Sequence, residues 1–267
     1  MQEIIRKNIK KIRESKKISQ EKMSLITGFE RSYISQIENG HKNIGIENLY
    51  KIASSLNVAV IDFFIEKEEI PFQDFSFQYD DKELKIKGQC FEKKNVNILK
   101  NIYIVWQTYS NLLKISGDRQ SNVPSVLSEG IISYLYRNIR VHSIKGKGAD
   151  SLKTSMDNFN IHTKKRIQVK STCIQNDCTS FGPKTDYDEL LFIDFYDEKI
   201  RVFNLSDHIE ILKSTVLNKK KNETFLMQQQ AGRRPRLSLK KDVIVIYKIK
   251  SVVEFYMSEI DTLDFLE

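Results

Sequence analysis

The spacing of apolar residues along the chain changes character near Ile70. Before it, apolar positions recur at three- and four-residue steps in short blocks closed by glycine or asparagine, which predicts a cluster of short helices. Ile18-Ser19-Gln20-Glu21-Lys22-Met23-Ser24-Leu25-Ile26-Thr27-Gly28-Phe29 reads as a capped helix. Ser19 is its N-cap, and Gly28 permits a left-handed turn at its end. Glu30 to Gly40 reads as a second short helix, with Met23, Ile34 and Ile37 packing where the two cross. Glu47–Leu56 supplies a third, whose buried stripe is Leu49, Ile52, Ala53 and Leu56.

Beyond Ile70-Pro71, Phe75, Phe77 and Tyr79 alternate with polar residues, and Asp80-Asp81 precedes Leu84 and Ile86, the pattern of a β-hairpin. Ile98, Ile102, Val105, Tyr109 and Leu112 predict an amphipathic helix over roughly 95–115. Another helix starts near Pro124 and turns Val126, Leu127, Ile131 and Leu135 inward. The period then moves towards two. Lys165–Ile174, Glu189–Tyr196, Ile200–Leu205 and Asp242–Ile249 read as strands, with a short helix after Ser206 and a last one over Met257–Leu266. The expected architecture is two domains, α+β or α/β in class. Residues 1–68 form an all-α domain, and residues 71–267 form a mixed sheet flanked by helices.

Composition narrows the function classes. The chain of 267 residues is 40% hydrophobic and 29% charged, suited to a folded core, and its longest apolar runs fall short of the roughly 20 residues that a membrane span needs. The first residues do not read as a secretory signal, and three cysteines without a CxxC pair do not read as a disulfide framework or zinc site. A cytoplasmic protein that does not associate with a membrane is expected. The net charge of +8 is uneven: residues 130–185 hold 10 basic and 3 acidic side chains, residues 213–250 hold 11 and 2, and residues 186–212 hold 2 and 8. Two basic blocks suit a polyanion met by one face, although charge runs of this kind also serve simply as solvated surface. His142, His162 and His208 lack metal-ligand spacing. No GxSxG, P-loop or dinucleotide fingerprint occurs, so a triad hydrolase, an ATPase, a dehydrogenase and a nucleotide cofactor are not expected.

Residues 4–65 closely resemble the phage-repressor and Cro-like helix-turn-helix domains. The likeness rests on the two helices around Gly28, on Ser35-Gln36-Ile37-Glu38-Asn39-Gly40, and on Leu49 to Val58. It implies double-stranded DNA as the partner, with the 30–38 helix in the major groove. Carried over position by position, Arg31, Ser32 and Gln36 would face bases, Gln20 would anchor a phosphate, and Asn43 would touch the backbone. Arg can bridge both guanine acceptors and Gln can pair with adenine. Tyr33 reads equally as a DNA contact or as packing.

The second domain carries Glu129 in a helix, then Gly148-Ala149-Asp150-Ser151, then Arg166-Ile167-Gln168-Val169-Lys170-Ser171. On a strand, Gln168, Lys170 and Thr172 share one face, while Ile167 and Val169 face a core. Phosphodiester hydrolysis calls for a hard divalent cation on oxygen ligands and a positive group near the attacked phosphate. Asp150 as principal ligand, Gln168 as carbonyl ligand, Lys170 as the cation and Glu129 as a direct or water-mediated ligand meet those needs, with Mg2+ as the metal. Residues 120–250 thus resemble the PD-(D/E)xK nucleases, specifically type II restriction endonucleases, with Leu190 to Phe195 as the next strand. Two positions depart from that pattern: Ala149 stands for a proline, and Gln168 stands where an acid is usual.

The resemblance implies a sequence-specific, magnesium-dependent endonuclease of restriction-modification type that cuts both strands of DNA as a homodimer. The 95–115 helix is a candidate for the dimer contact, though core packing explains it equally. Arg233, Arg234 and Arg236, in Gln228-Gln229-Gln230-Ala231-Gly232-Arg233-Arg234-Pro235-Arg236, are further candidates for contact with DNA. The polar loop from Ser171 to Lys184 is expected to approach the duplex. The competing reading is a helix-turn-helix regulator whose C-terminal domain dimerises or senses a ligand without cleaving.

Overall fold

The computed structural model describes residues 2–65, 70–79, 82–145, 156–183 and 185–266. The chain divides into two compact units, Met1–Glu68 and Glu69–Glu267.

Unit 1 contains α1 (Gln2–Ser15), α2 (Gln20–Thr27), α3 (Arg31–Glu38) and α4 (Ile46–Leu56), followed by a 3-10 turn at Val60–Phe63. The local chemistry is as expected. Ser19 Oγ accepts the Lys22 N–H at 3.1 Å, and Gly28 takes φ +69°, which a β-carbon would disfavour. Met23, Ile34, Ile37, Leu49, Ile52, Ala53 and Leu56 form the core together with Ile5, Ile9 and Phe63. A buried ion pair spans this core. Arg13 donates from Nε to Glu38 Oε1 at 2.6 Å, from Nη2 to Oε2 at 2.8 Å, and from Nη1 to the Ile18 carbonyl at 2.8 Å. One guanidinium therefore ties α1, α3 and the entry to α2 together.

Unit 2 opens with the hairpin β1 (Gln73–Tyr79) and β2 (Lys82–Gln89), then α5 (Asn97–Ile115), α6 (Ser125–Leu135) and β3 (Ile139–Lys145). Next come β4 (Asn158–Asn160), β5 (Lys165–Thr172), β6 (Thr179–Ser180), β7 (Glu189–Asp194) and β8 (Ile200–Asn204). The chain ends with α7 (Ile209–Ser214), β9 (Val216–Asn218), β10 (Glu223–Thr224), α8 (Phe225–Gln230), β11 (Arg236–Leu237) and β12 (Val253–Phe255). Eight strands form one sheet in the order β1-β2-β3-β4-β5-β7-β8-β12. Its pairings are antiparallel except that β5 and β7 run parallel, with Gln168 beside Leu190 and Lys170 beside Phe192.

Both faces of this sheet are covered, and the alternation along β5 and β7 sorts residues between them. Ile167, Val169, Leu191 and Ile193 join α5 and α6 in one core, while Leu190 and Phe192 join Phe181, Phe225 and Val243 in a second. The mixed sheet flanked by helices is thus present, following an N-terminal helix-turn-helix in sequence. Among the described residues no helix is long and apolar enough to cross a membrane.

Three expectations fail in detail. Asp242–Ile249 is not a strand. Lys240–Val245 winds into a wide, π-type helical turn whose first amides are held by Asp177, which accepts from Leu239 N at 2.8 Å and Lys240 N at 3.2 Å. The β-branched run favours extended backbone, but a cap from a residue so distant in sequence overrides that preference. The last helix is only a 3-10 segment, Met257–Thr262. In α5 the residues turned into the core are Leu99, Tyr103, Trp106 and Ser110, one step round from the expected stripe. Val105, Tyr109 and Leu112 remain exposed.

Removing the Arg13 guanidinium leaves Glu38 buried and unpaired, which costs about 3–5 kcal/mol. Arg13→Met should lower the midpoint of the helical transition followed by circular dichroism in urea. Fluorescence of Trp106, the single tryptophan and a unit 2 residue, should keep its midpoint; a shift of equal size there would contradict the assignment.

Candidate nuclease centre

The polar centre of unit 2 is built by the β4–β5 hairpin. Asn158 pairs with Ile167 and Asn160 with Lys165, so the residue just before β4, Asp157, stands opposite Gln168. The backbone joins in: Asp157 N donates to the Ile167 carbonyl at 2.9 Å, and Val141 N donates to the Asp157 carbonyl at 2.9 Å. The turn that closes the hairpin is set by Asn160, whose Oδ1 accepts from His162 N and Thr163 N at 3.0 and 3.1 Å. The Asp157 carboxylate is consequently pinned. Its Oδ2 accepts the Val169 N–H at 2.8 Å and the Gln168 side-chain amide.

Glu129 approaches from α6. Asn158 Nδ2 donates to the Glu129 carbonyl at 2.9 Å and to Asn138 Oδ1 at 2.7 Å, tying that helical turn to the start of β4. Gly130 allows α6 to lie close to α5, since a β-carbon there would meet Leu99 Cδ2 at 2.6 Å. The Glu129 carboxylate is held by Arg140 Nε at 2.8 Å, and Arg140 Nη1 also donates to Gln89 Oε1 at 3.0 Å. Lys170 shares the Gln168 face of β5, with its ammonium 5.1 Å from the Phe181 ring centroid and no ion pair among the described residues.

The electrostatics follow from this crowding. Burial raises Glu129 to about 7, with repulsion from Asp157 adding to it and Arg140 and Lys170 opposing. Burial also pushes Asp157 above the usual carboxylate range, against the Val169 N–H and Lys170. Burial lowers Lys170, and the cation of Arg234 adds to that, while Asp157 and Glu129 oppose it. The two acids, whose negative forms are penalised by burial and by each other, would ionise more readily with a divalent cation between them.

The donor chemistry suits such a cation. Among the described residues no group of three or more His, Cys, Asp and Glu side chains is placed to hold a metal. Magnesium, however, needs only one or two carboxylates, its other ligands being waters and substrate oxygens. Glu129, Asp157 and the Gln168 amide oxygen could provide that set. Among the described residues both hydrogen bonds to the Asp157 carboxylate fall on Oδ2, so Oδ1 could serve a metal.

Of the residues read from the sequence, Glu129, Gln168 and Lys170 come together, and Asp150 lies outside the described residues. Asp157, which the sequence reading did not name, lies among those three. The signal was the hairpin: a turn at Ile161–Lys164 fixes the register that sets Asp157 opposite Gln168.

The arginine block lies beside this centre. β11 pairs with β6, setting Arg236 against Ser180, and Phe181 N donates to the Pro235 carbonyl at 3.1 Å. The loop after β5 and the basic block are therefore one surface, with Phe181 between Pro235 and Lys170. Arg233 is occupied, since both its Nη atoms bind Glu223. Arg234 and Arg236 are exposed and make no ion pair among the described residues.

In unit 1, Arg31, Ser32, Gln36 and Asn43 are exposed on and after α3. Arg31 lies 3.1 Å from the exposed Glu21, and Ser32 Oγ donates to Glu30 at 3.1 Å. Gln20 instead points inward, donating to Glu38 at 2.8 Å. Tyr33 is engaged in packing: its hydroxyl accepts from Asn48 at 2.8 Å, and its ring meets Phe29 edge-on.

Comparison with known proteins places these two units. The family described as Bsp6I restriction endonuclease matches residues 91–246, and the helix-turn-helix family matches residues 9–63. The chain is 30% identical over 155 residues to the type II restriction enzyme Bsp6I of Bacillus sp. (strain RFL6), covering 57% of this chain and 82% of that protein. It is 27% identical over 137 residues to the antitoxin PezA of Streptococcus pneumoniae, covering 51% and 80%. It is 40% identical over 63 residues to the control protein C.MunI of Mycoplasma sp, covering 22% and 85%.

Arg234→Ala should weaken DNA binding uniformly across sequences and reduce the slope of log affinity against log salt by about 1. Arg233→Ala should change both less, because its guanidinium already serves Glu223. Salt titrations by fluorescence anisotropy decide this, and equal effects from the two variants would count against it.

Proposed function

Because the chain belongs to the Bsp6I restriction endonuclease family and carries a helix-turn-helix unit ahead of that region, we propose that it is a sequence-specific, magnesium-dependent type II endonuclease. In this reading it cuts double-stranded DNA in the cytoplasm as a homodimer, with a centre of PD-(D/E)xK type. The observation that carries the reading is the convergence of Asp157, Gln168, Lys170 and Glu129 from the β4–β5 hairpin and α6.

Asp157 takes the role first expected of Asp150. It, Glu129 and the Gln168 carbonyl oxygen would hold the cation. A bound magnesium ion would neutralise charge on the scissile phosphate and make its water more acidic. The protein's own groups do the positioning. The Val169 N–H keeps the Asp157 carboxylate aimed, and Arg140 keeps Glu129 from swinging away. Lys170, desolvated and in no ion pair among the described residues, would donate to the phosphate oxygen that gains charge as water attacks phosphorus and the ester oxygen leaves. The exposed Arg234 and Arg236 would grip neighbouring phosphates. A homodimer supplies a second centre for the other strand.

In unit 1 the exposed Arg31, Ser32 and Gln36 would read bases, and Asn43 would touch the backbone. Gln20 would reach a phosphate only by leaving Glu38. This unit would add affinity at the cleavage site or repress the protein's own operon. The second reading, a regulator without cleavage, draws on the likeness to C.MunI and on an amide, Gln168, where a third acid would bind metal better.

Digesting phage DNA with the full-length protein, with magnesium or with chelator, separates the readings: discrete fragments should form only with the metal. Asp157→Ala and Lys170→Ala should each lower the cutting rate by about 100-fold or more while DNA affinity stays near wild type, and Asp150→Ala should still cut. Cleavage lost in Asp150→Ala and kept in Asp157→Ala would overturn the assignment of the acid. Intact DNA under every metal condition would leave the regulator.

Arg31→Ala should cost about 1–3 kcal/mol of affinity for sites selected from a random-sequence pool. Unchanged binding in gel-shift titrations would remove Arg31 from the interface.

A further inference from the structure

Unit 2 buries one apolar face of α5, packs Ile102 at its edge and leaves other apolar residues of the helix exposed, Ile104 and Ile115 among them at 52% and 83%. Leu99, Tyr103 and Trp106 are buried against the sheet. Ile98, Ile102, Val105, Tyr109 and Leu112 form a second stripe, in which Ile98 and Ile102 are half-buried and Val105, Tyr109 and Leu112 are 46%, 55% and 59% exposed. Three adjoining large side chains turned to water on one helix mark a surface that a partner covers.

Three observations identify the partner as another copy of the same helix. The stripe steps by four, three, four and three residues, the repeat that keeps apolar residues on the seam between two paired helices. This spacing is nearly symmetric about Val105, so an antiparallel copy would set Val105 against Val105, Ile102 against Tyr109 and Ile98 against Leu112. A two-fold interface needs this self-complementarity.

Charge selects in the same direction. From Asn101 to Leu113 the chain has no Asp, Glu, Lys or Arg, so two copies of a protein of net charge +8 meet here without repulsion. An acidic partner would find no cation along the stripe. Of the two flanking lysines, Lys100 is already neutralised by Asp261 at 2.7 Å. The remaining one, Lys114, would face its own copy in a parallel pair and lies at opposite ends in an antiparallel one.

We infer that α5 pairs with α5 of a second copy in antiparallel orientation, with Val105 on the two-fold axis. This names the surface for the homodimer of the proposed function and rests on that reading only for the existence of a dimer. Association measured without DNA or metal stands apart from cleavage, so a protein that dimerises through α5 but cuts nothing would sink the endonuclease alone.

The test is analytical ultracentrifugation of the full chain and of Val105→Glu and Leu112→Glu, both at exposed positions. The wild type should sediment at twice the monomer mass, and each variant should raise the dimer dissociation constant at least about 100-fold, a change worth about 2.7 kcal/mol. Trp106 fluorescence and urea midpoints verify folding. Orientation is read by oxidative cross-linking against the wild-type cysteine background. Val105→Cys should link to itself, and Ile98→Cys with Leu112→Cys in one chain should link. Ile98→Cys alone should not. A monomeric wild type, a dimer unmoved by both glutamates, or efficient linking of Ile98→Cys alone would each overturn the proposal.

Discussion

The polar centre of unit 2 depends on the antiparallel ladder between β4 and β5, because that ladder sets Asp157 opposite Gln168 and supplies its carboxylate with the Val169 N–H. A carboxylate removed from water is costly unless its oxygens find donors, and here, among the described residues, one oxygen is satisfied twice. Arg140 does the same for Glu129, and Asn158 fastens the backbone of Glu129 to the strand that follows Asp157. Two acids are thus held near each other against their mutual repulsion, a strain that a divalent cation would relieve.

The sheet explains why this centre stays polar between two apolar layers. β5 presents Ile167 and Val169 to the α5–α6 side and Gln168 and Lys170 to the other. Lys170 is screened from water by Phe181 and lies near the arginine loop that β11 draws against β6. Residues far apart in the chain therefore contribute to one electropositive rim around a small acidic spot. Such a field would attract a polyanion while reserving one point for a metal. The proposed nuclease chemistry is a consequence of that contrast.

Unit 1 solves a different problem with the same device. The buried Arg13–Glu38 pair is unlike an exposed ion pair in that each partner's desolvation is met by several hydrogen bonds. It also recruits Gln20, so the residue expected to hold a phosphate is engaged in the core network. Arg31, Ser32 and Gln36 lie on the exposed side of α3, and the crossing beneath them fixes their spacing.

What the sequence determined by itself was local. Ser19, Gly28 and the short apolar steps specify the helix-turn-helix, because caps and a left-handed glycine act within a single turn. Alternation in Lys165–Thr172 specifies which residues of β5 share a face, so Gln168 and Lys170 were legible as neighbours on one side of the strand. Tertiary structure decided the rest. Asp157 was indistinguishable from other aspartates until hairpin register paired it with Gln168, and Asp177 wound a β-branched run into a helical turn from a loop far upstream. On α5, two apolar stripes compete for one core. The winner was the stripe whose Trp106 and Tyr103 meet Phe195, a choice that depends on the shape of the sheet beneath. Periodicity reports that a face is apolar; only packing decides whether the molecule's own core or a second molecule covers it.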